Sequence, residues 1–190
     1  MAYCDIADVT QYLDVREATD DVLIDACIKA AQAEIDNFTG RTFEADADST
    51  RYFDAAGKHI VGNTLYVDED LCSVTTVTNG NSVEVTSAQY TMKPRNETPY
   101  YAIRILSNSG KVWTYTDEWM DAIEITGRWS YSTAAPDDIK QACIRLASYI
   151  YRQRDAQMYD VTAIEAGVVV RPFGFPPDVK AILAPYRRFM

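Results

Sequence analysis

The sequence predicts an α+β fold, a small α-helical bundle with a large antiparallel β insertion, sandwich-like or barrel-like, between the second and third main helices. Apolar residues recur at helical spacing in residues 20–43 and again from residue 136 onwards. Between these blocks, from about Thr42 to Arg128, apolar and polar residues alternate with a period of two, as they do in half-buried strands. Each helical block has a single apolar stripe, so the two blocks are most simply packed on each other.

A chain of 190 residues suits one domain that carries a large insertion. We expect residues 1–43 to form the first part of a helical domain and residues 44–130 to form the β insertion module. Residues 131–190 are then the second part of the helical domain, including an extended C-terminal arm.

Two helices are predicted in the first helical part. Asp5–Leu13 has an N-cap residue in Asp5 and apolar residues on one side. The second helix has its start signal at Thr19–Asp21, where acidic residues suit the helix dipole, and its stop signal at Gly40. Its apolar stripe consists of Leu23, Ile24, Cys27, Ile28, Ala31, Ile35 and Phe38.

The β module contains a strong hairpin signal, Asn79-Gly80, between Val74–Val77 and Ser82–Val85. Alternating residues predict further strands around Tyr101–Ile105 and Ile123–Ile125. The segments Leu65–Val67 and Tyr90–Met92 are weaker strand candidates. Together these segments predict several antiparallel strands in one module.

Helical periodicity returns where Pro136 is followed by two acidic residues, which is typical of a helix start. The apolar stripe of this third main helix consists of Ile139, Ala142, Cys143, Leu146, Ala147 and Ile150. Gly167–Val170 predicts a short strand or an extended arm. A last short helix begins at Pro176–Asp178 and ends at Pro185, and the chain closes on the aromatic and basic tail Tyr186–Met190.

The net charge is −10, from 28 acidic and 18 basic side chains. A protein that wraps tightly on nucleic acid neutralises phosphates with Lys and Arg, so this composition argues against such binding. An acidic passage through which DNA slides without adhering remains compatible with the charge. The N-terminus lacks the pattern of a signal peptide and no stretch has the length of a transmembrane helix, so we expect a soluble protein made in the cytoplasm, with no membrane partner.

The four cysteines are widely separated along the sequence, at Cys4, Cys27, Cys72 and Cys143. Reduced, mostly buried thiols are favoured over a disulfide framework or a metal site.

The sequence offers few residues that could carry out catalysis. His59 is the single histidine and is expected to be an exposed polar residue at a loop edge. Three acidic runs lack the calcium-loop pattern and are predicted to be solvated turns: Asp46–Asp48, Asp68–Asp70 and Asp117–Glu118. Binding of a cation at Asp68–Asp70 is left open by the sequence. No phosphate-binding loop occurs. We therefore assign no catalytic residue, no cofactor-binding residue and no metal ligand.

Aromatic residues cluster in and just after the β module, between Tyr100 and Tyr131. Such residues can stack on sugars or bases. The favoured interpretation is that they fill a small β core and a subunit interface.

Three blocks, in this order, give the chain a resemblance to the head–tail connector (adaptor) proteins of tailed double-stranded DNA bacteriophages. Asp20–Phe43 resembles the long first helix of that family, with its aromatic-Thr-Gly-Arg-x-Phe ending at Phe38–Phe43. Ala122–Asp155 is similar to the strand, Trp-containing turn and Pro-started helix of the second half, with Ser130 where Gly is commoner. Pro176–Phe189 resembles the closing helix and the Tyr-Arg tail.

The resemblance implies a structural protein of the virion neck that assembles into a homo-oligomeric ring, commonly a dodecamer. Such a ring docks on the portal protein, extends the DNA channel without sequence-specific DNA binding, and offers a platform to the next neck or tail protein. Family members often reach the portal with the C-terminal segment. By position, Tyr186, Arg187, Arg188 and Phe189 are then the candidate contacts with the portal or a neighbouring subunit.

Two other functions stay open from the sequence. One is a tail-completion or stopper protein of the phage neck, which differs from the adaptor in position and copy number. The other is a virion-associated glycan-binding or glycan-cleaving protein, which predicts a cleft with paired carboxylates inside the β module.

Overall fold

Four α-helices and seven strands form within the residues that the computed structural model describes, which are 2–14, 18–45, 47–158 and 175–188. The chain divides into two units. Arg41–Ala135 is here called the β unit, and Ala2–Gly40 with Pro136–Met190 is here called the helical unit. The predicted α+β class, with a β region inserted between helical segments, is confirmed. The units divide at residues 40/41 and 135/136, whereas the expected divisions were 43/44 and 130/131.

The helical unit contains α1 (Ile6–Leu13), α2 (Asp21–Thr39), α3 (Asp137–Met158) and α4 (Pro177–Leu183). The helices α1, α2 and α4 all pack against α3. The predicted stripes form the contact surface, because the side chains buried there are Ile24, Cys27, Ile28, Ala31, Ile35, Ile139, Ala142, Cys143, Leu146, Ala147, Val179 and Leu183. No helix in the described part of the chain is both long and apolar enough to cross a membrane.

The predicted caps explain where α1 begins and where α2 ends. The Asp5 carboxylate accepts a hydrogen bond from the backbone N–H of Asp8, and the Asp8 carboxylate accepts one from the backbone N–H of Asp5, which forms a complete capping box. At the end of α2, Gly40 has φ +67°, and its N–H donates to the carbonyl of Asp36. The start of α2 differs from expectation, because the Asp20 carboxylate makes no cap hydrogen bond and instead accepts one from the Tyr151 hydroxyl on α3.

The β unit consists of β1 (Ser49–Phe53), β2 (Ile60–Val61), β3 (Thr64–Leu71), β4 (Ser73–Thr78), β5 (Tyr90–Lys93), β6 (Tyr100–Ile105) and β7 (Ile123–Arg128). One antiparallel sheet has the order β1-β7-β4 and the other has the order β2-β3-β6-β5. The chain passes from one sheet to the other at Cys72, between β3 and β4. Both sheets contribute to one apolar core, which includes Phe53, Leu65, Leu71, Val77, Ile103, Ile105, Ile123 and Ile125. The β unit is therefore a small sandwich.

Asn79 and Gly80 lie in a tight turn, as predicted, but only the segment before the turn forms a strand. The N–H of Ser82 donates to the carbonyl of Asn79, and the N–H of Asn79 donates to the carbonyl of Val83. The predicted strand Ser82–Val85 is wrong, since this flank contributes only the bridge of Glu84 with Thr78. The left-handed conformation also falls on Ser82, at φ +60°, and not on Gly80.

Close approach of the backbone explains why residue 80 is glycine. A Cβ atom at Gly80 would lie 2.6 Å from the carbonyl oxygen of Thr114 and 2.8 Å from the Cβ of Ala122. The neighbouring Asn79 is buried and binds the segment that contains Thr114. Its Nδ2 donates a hydrogen bond to the carbonyl of Val112, and its Oδ1 accepts one from the N–H of Thr114. The turn is thus fixed by contacts with a distant part of the sequence.

The remaining differences are local. The expected strand or arm at Gly167–Val170 lies outside the described residues. Helix α4 ends at Leu183, two residues before the proline that was expected to end it, and a 3-10 turn (Ala184–Tyr186) follows.

Replacement of Gly80 by alanine is expected to lower the unfolding free energy of the β unit by about 1–3 kcal/mol, because the added methyl group has no space. All three tryptophans belong to the β unit, so their fluorescence during denaturant unfolding follows this unit. Ser87→Ala, at an exposed position in the same unit, serves as the control and is expected to behave like the parent protein. Parent-like stability of Gly80→Ala would contradict the close approach described above.

Candidate functional site

The C-terminal tail Tyr186–Phe189 is the predicted contact surface, and its described part, Tyr186–Arg188, packs on the helical unit. The Tyr186 hydroxyl donates to Oδ2 of Asp138 in the first turn of α3, at 2.7 Å. The guanidinium of Arg187 lies over the ring of Phe38, at 5.6 Å from the ring centroid. The N–H of Arg188 donates to the carbonyl of Thr39, at 2.8 Å. Phe189 lies outside the described residues.

These contacts have a structural consequence at the end of α2. The last carbonyl groups of a helix have no partner within the helix, and the Arg188 N–H satisfies the one of Thr39. Two cationic side chains at the negative end of the α2 dipole are also electrostatically favourable. The side chain of Arg187 is exposed and that of Arg188 is half-buried, so this tail can help the fold and still present positive charge outward.

Ion pairs join α3 to its neighbours within the helical unit. Nζ of Lys140 lies 2.8 Å from a carboxylate oxygen of Asp8, and Nη1 of Arg145 lies 2.8 Å from one of Asp178. The Arg145 hydrogen bond holds the pKa of Asp178 below its usual value. Partial burial would raise the pKa of Asp8, but the hydrogen bonds from Lys140 and from the Asp5 backbone outweigh it and lower this pKa. Both pairs are partly exposed to solvent, which screens them, so each contributes little to the stability of the fold.

An open cleft of about 560 Å³ lies beside the start of α1 in the helical unit. Its lining includes Tyr3, Cys4, Asp8, Asp25 and Lys140. These groups supply an ion pair, a thiol and a phenol, but no nucleophile paired with an oriented histidine base.

All four cysteines are buried, as the favoured interpretation predicts, and all four are free thiols in the structure. The Sγ atoms of Cys4 and Cys143 lie only 3.3 Å apart. In the β unit, Sγ of Cys72 lies 3.4 Å from Oγ of Ser130.

His59 is buried, so the expectation of an exposed histidine is wrong. Its ring packs edge-on against Phe53, with 5.7 Å between the centroids, and its carbonyl accepts a hydrogen bond from the N–H of Tyr66. Nδ1 lies 3.6 Å from a carboxylate oxygen of Asp68. These contacts give the side chain a structural role in the sandwich.

The run Asp68–Asp70 was predicted to be a solvated turn, and this prediction is also wrong, since the run lies inside β3. Each acidic side chain has a cationic or polar partner, because Glu69 pairs with Arg51 and Asp70 pairs with Arg41 at 2.5 Å. These pairs allow a charged run to occupy a strand whose flanks, Leu65 and Leu71, are fully buried. Among the described residues, no group of three potential ligands is placed to hold a metal ion.

The aromatic cluster of the β unit divides between its core and its surface. Trp113 and Trp129 are buried, and their indole N–H groups donate to the carbonyls of Asn63 and Ser49. Tyr101, in contrast, is exposed and stacks on Tyr66, with 6.4 Å between the centroids and 13° between the ring planes. The exposed aromatic residues Tyr52, Tyr115 and Trp119 are surface features that the sequence alone could not separate from the core.

Comparisons with known proteins give a family match and structural matches. A family model described as "Head completion protein" (HCP) matches residues 3–189. The solved neck of an empty GTA particle, computed with C6 symmetry, has a chain with TM-score 0.58 and 16% identity, over 97% of this chain and 89% of that one. The neck of a native GTA particle, computed with C12 symmetry, gives TM-score 0.55 and 17% identity, over 97% and 88%.

A third match is to the virion of a native gene transfer agent (GTA) particle, with TM-score 0.57 and 20% identity, over 97% of this chain and 89% of that chain. At these identities the structural matches establish a shared fold. No curated protein matches the chain.

Replacement of Asp36 by asparagine is expected to raise the unfolding free energy at pH 7. Burial raises the pKa of Asp36, although a hydrogen bond of 2.6 Å from the Tyr3 hydroxyl opposes the rise. The folded state therefore holds this proton more tightly than the unfolded state, and stability is lost as the pH rises from about 3.8 through the raised pKa. The asparagine amide keeps an acceptor for Tyr3 without the buried charge.

Denaturant unfolding followed by far-UV circular dichroism at several pH values measures this effect. The stability advantage of Asp36→Asn should be absent near pH 3 and grow towards neutral pH. Tyr3→Phe is the matched control and should be less stable than the parent at pH 7, since it leaves the carboxylate without its donor. An Asp36→Asn protein that is less stable than the parent at pH 7 would refute this account.

Proposed function

The chain belongs to the head completion protein family, whose model matches residues 3–189, and we propose that it forms the adaptor ring of a virion neck. Membership of this family confirms the predicted resemblance and the predicted class, a virion structural protein and not an enzyme. The predicted localisation at the virion neck agrees with the family and with the source of the similar structures.

The single observation that carries the proposal is the likeness of fold to neck proteins along 97% of the chain. One matched neck was computed with C12 symmetry and another with C6 symmetry. We propose that this chain likewise forms a closed homo-oligomeric ring, with twelve copies as the favoured number. A closed ring needs two different complementary faces on each subunit.

The net charge of −10 supports a role for the ring as an extension of the DNA channel. A passage lined by acidic side chains repels phosphates, so that DNA moves through it without adhering. We therefore propose that DNA passes through the ring without sequence-specific binding. The opposite end of the ring would provide the platform for the next neck or tail protein.

The C-terminal tail supports the proposed contact with the portal or with a neighbouring subunit. Arg187 is exposed beside Phe38, and Arg188 is fixed by its backbone hydrogen bond to Thr39. Anchoring of the backbone lowers the conformational entropy that these side chains lose on binding. We propose that Tyr186, Arg187, Arg188 and Phe189 contact an acidic surface of the portal or of the next copy.

A tail-completion or stopper protein is the alternative within the same virion region, and it predicts a position farther from the portal. A glycan-cleaving protein is less well supported. Its predicted cleft would lie inside the β module, where Phe53, Trp113 and Trp129 instead fill the core. The exposed stack of Tyr66 on Tyr101 is the surface feature that a glycan-binding function would use.

Replacement of Arg187 by glutamate is expected to weaken binding to the purified portal protein by at least about tenfold, since it places a negative charge opposite an acidic surface. Sedimentation or mass photometry of mixtures with the portal measures this binding. Lys180→Glu on α4 makes the same charge change at an exposed position of the helical unit and should bind like the parent protein.

Circular dichroism spectra and melting curves of both variants test whether the fold is retained. If Arg187→Glu bound the portal as tightly as the parent and also formed rings normally, the tail would not be the contact surface. If the parent protein neither bound the portal nor formed a ring with it, the adaptor function itself would be contradicted.

A further inference from the structure

We infer that Cys4 and Cys143 are a site of reversible covalent modification, at which a small disulfide such as oxidised glutathione converts the two thiols into an intramolecular disulfide. This inference is independent of the proposed adaptor function, since it rests only on the geometry of the helical unit. The bond would join the segment before α1 to the middle of α3.

The distance between the sulfur atoms is the main support. Sγ of Cys4 lies 3.3 Å from Sγ of Cys143, although the two residues are 139 positions apart in the sequence. A disulfide bond has a length of about 2.05 Å, so the sulfur atoms need to approach by only about 1.3 Å. Both side chains are buried, with 4% and 0% of their surface exposed, so the fold already holds the pair together.

The local structure around Cys4 favours this small movement. Cys4 belongs to the short segment before α1, which has no regular secondary structure, and α1 begins only at Ile6. The hydrogen bond from the Tyr3 hydroxyl to Asp36 holds this segment near α2. Cys143, within α3, supplies the rigid partner.

The cleft beside α1 offers a route for the oxidant. Cys4 is part of the lining of this cleft, whose volume of about 560 Å³ has the scale of a small-molecule site. The ammonium group of Lys140, which is paired with Asp8, also lines the cleft. Cys4 is therefore the thiol that a small disulfide meets first.

The reaction has two exchange steps that balance. The Cys4 thiolate attacks one sulfur of the oxidised glutathione, a glutathione thiolate leaves and takes up the proton that Cys4 released, and a mixed disulfide remains at Cys4. The Cys143 thiolate then attacks the Cys4 sulfur, and the second glutathione leaves as a thiol with the proton of Cys143. The protein loses two protons and two electrons, and one glutathione disulfide takes them up to become two thiols.

Ring closure by Cys143, the second step, is slow. The hydrogen bond shared with Cys4, burial, and the nearby carboxylates of Asp36 and Asp8 raise the pKa of the Cys143 thiol. The thiolate is the attacking form, so its scarcity slows ring closure at neutral pH. The pair therefore stays reduced in a reducing cytoplasm and is oxidised slowly in an extracellular, disulfide-containing medium.

Incubation of the reduced full-length protein with excess oxidised glutathione tests the inference. Intact-mass spectrometry should show the loss of two hydrogens, and peptide mapping without reductant should show a Cys4–Cys143 linked peptide. The thermal midpoint of the helical signal should rise by roughly 5–15 °C, because the link closes a long loop, and dithiothreitol should reverse the rise.

Variants locate the modification. Cys72→Ser, in the β unit, keeps its partner Ser130 and should form the link like the parent protein. Cys4→Ser and Cys143→Ser should show neither the linked peptide nor the shift of the midpoint. If a variant fails to fold, the peptide map of the parent protein still shows whether Cys4 and Cys143 are linked. A persistent glutathione adduct at Cys4, a link through Cys27, or four unmodified thiols would each overturn the inference.

Discussion

The packing of α2 against α3 is the contact on which the helical unit depends. Each helix has one apolar stripe, and each buries that stripe against the other. On α2 the stripe includes Ile24, Ile28 and Ile35, and its partner α3 follows the β unit in the sequence. Burial of apolar side chains of this size stabilises a fold by about 1.5–3 kcal/mol each. Because the two stripes are far apart in the chain, the helical unit is complete only when both ends of the sequence have met. The β module can therefore be a long insertion without interrupting the core of the helical unit.

The same contact explains why both terminal parts of the chain are tied to α2 and α3. The segment before α1 contributes Tyr3 and Cys4, which contact Asp36 on α2 and Cys143 on α3. The tail contributes Tyr186, which contacts Asp138, and Arg188, whose N–H caps the end of α2. The helical unit is closed by polar contacts at its periphery, and these place cationic side chains of the tail at the surface. A subunit of this kind presents a fixed charged edge, which suits heterologous contacts within a ring.

The sequence predicts the helical unit well, because periodicity and caps are local properties. Asp5, Gly40 and the apolar stripes mark α1, α2 and α3 without reference to distant residues. The β unit was predicted less completely. The sequence does not predict strand β1, with the polar sequence STRYF, because only Phe53 is buried. It predicts a turn at Asp68–Asp70 because the partners Arg41 and Arg51 come from elsewhere in the chain. The burial of His59 and the close contact at Gly80 are likewise products of long-range packing. For the tail, the position of the candidate residues follows from the sequence, but their anchoring to Asp138 and Thr39 does not, since neither partner is a sequence neighbour.

The adaptor proposal combines a family, a fold and a charge distribution. The family establishes a head completion protein, the fold is shared with neck proteins of GTA particles, and the acidic balance suits a passage for DNA. The most direct test is electron cryo-microscopy of virions that contain this chain, with the neck reconstructed without imposed symmetry. The account predicts a closed ring of this subunit in direct contact with the portal, with twelve copies and the tail Tyr186–Phe189 at the contact. A single copy, or a ring separated from the portal by another protein, would contradict it.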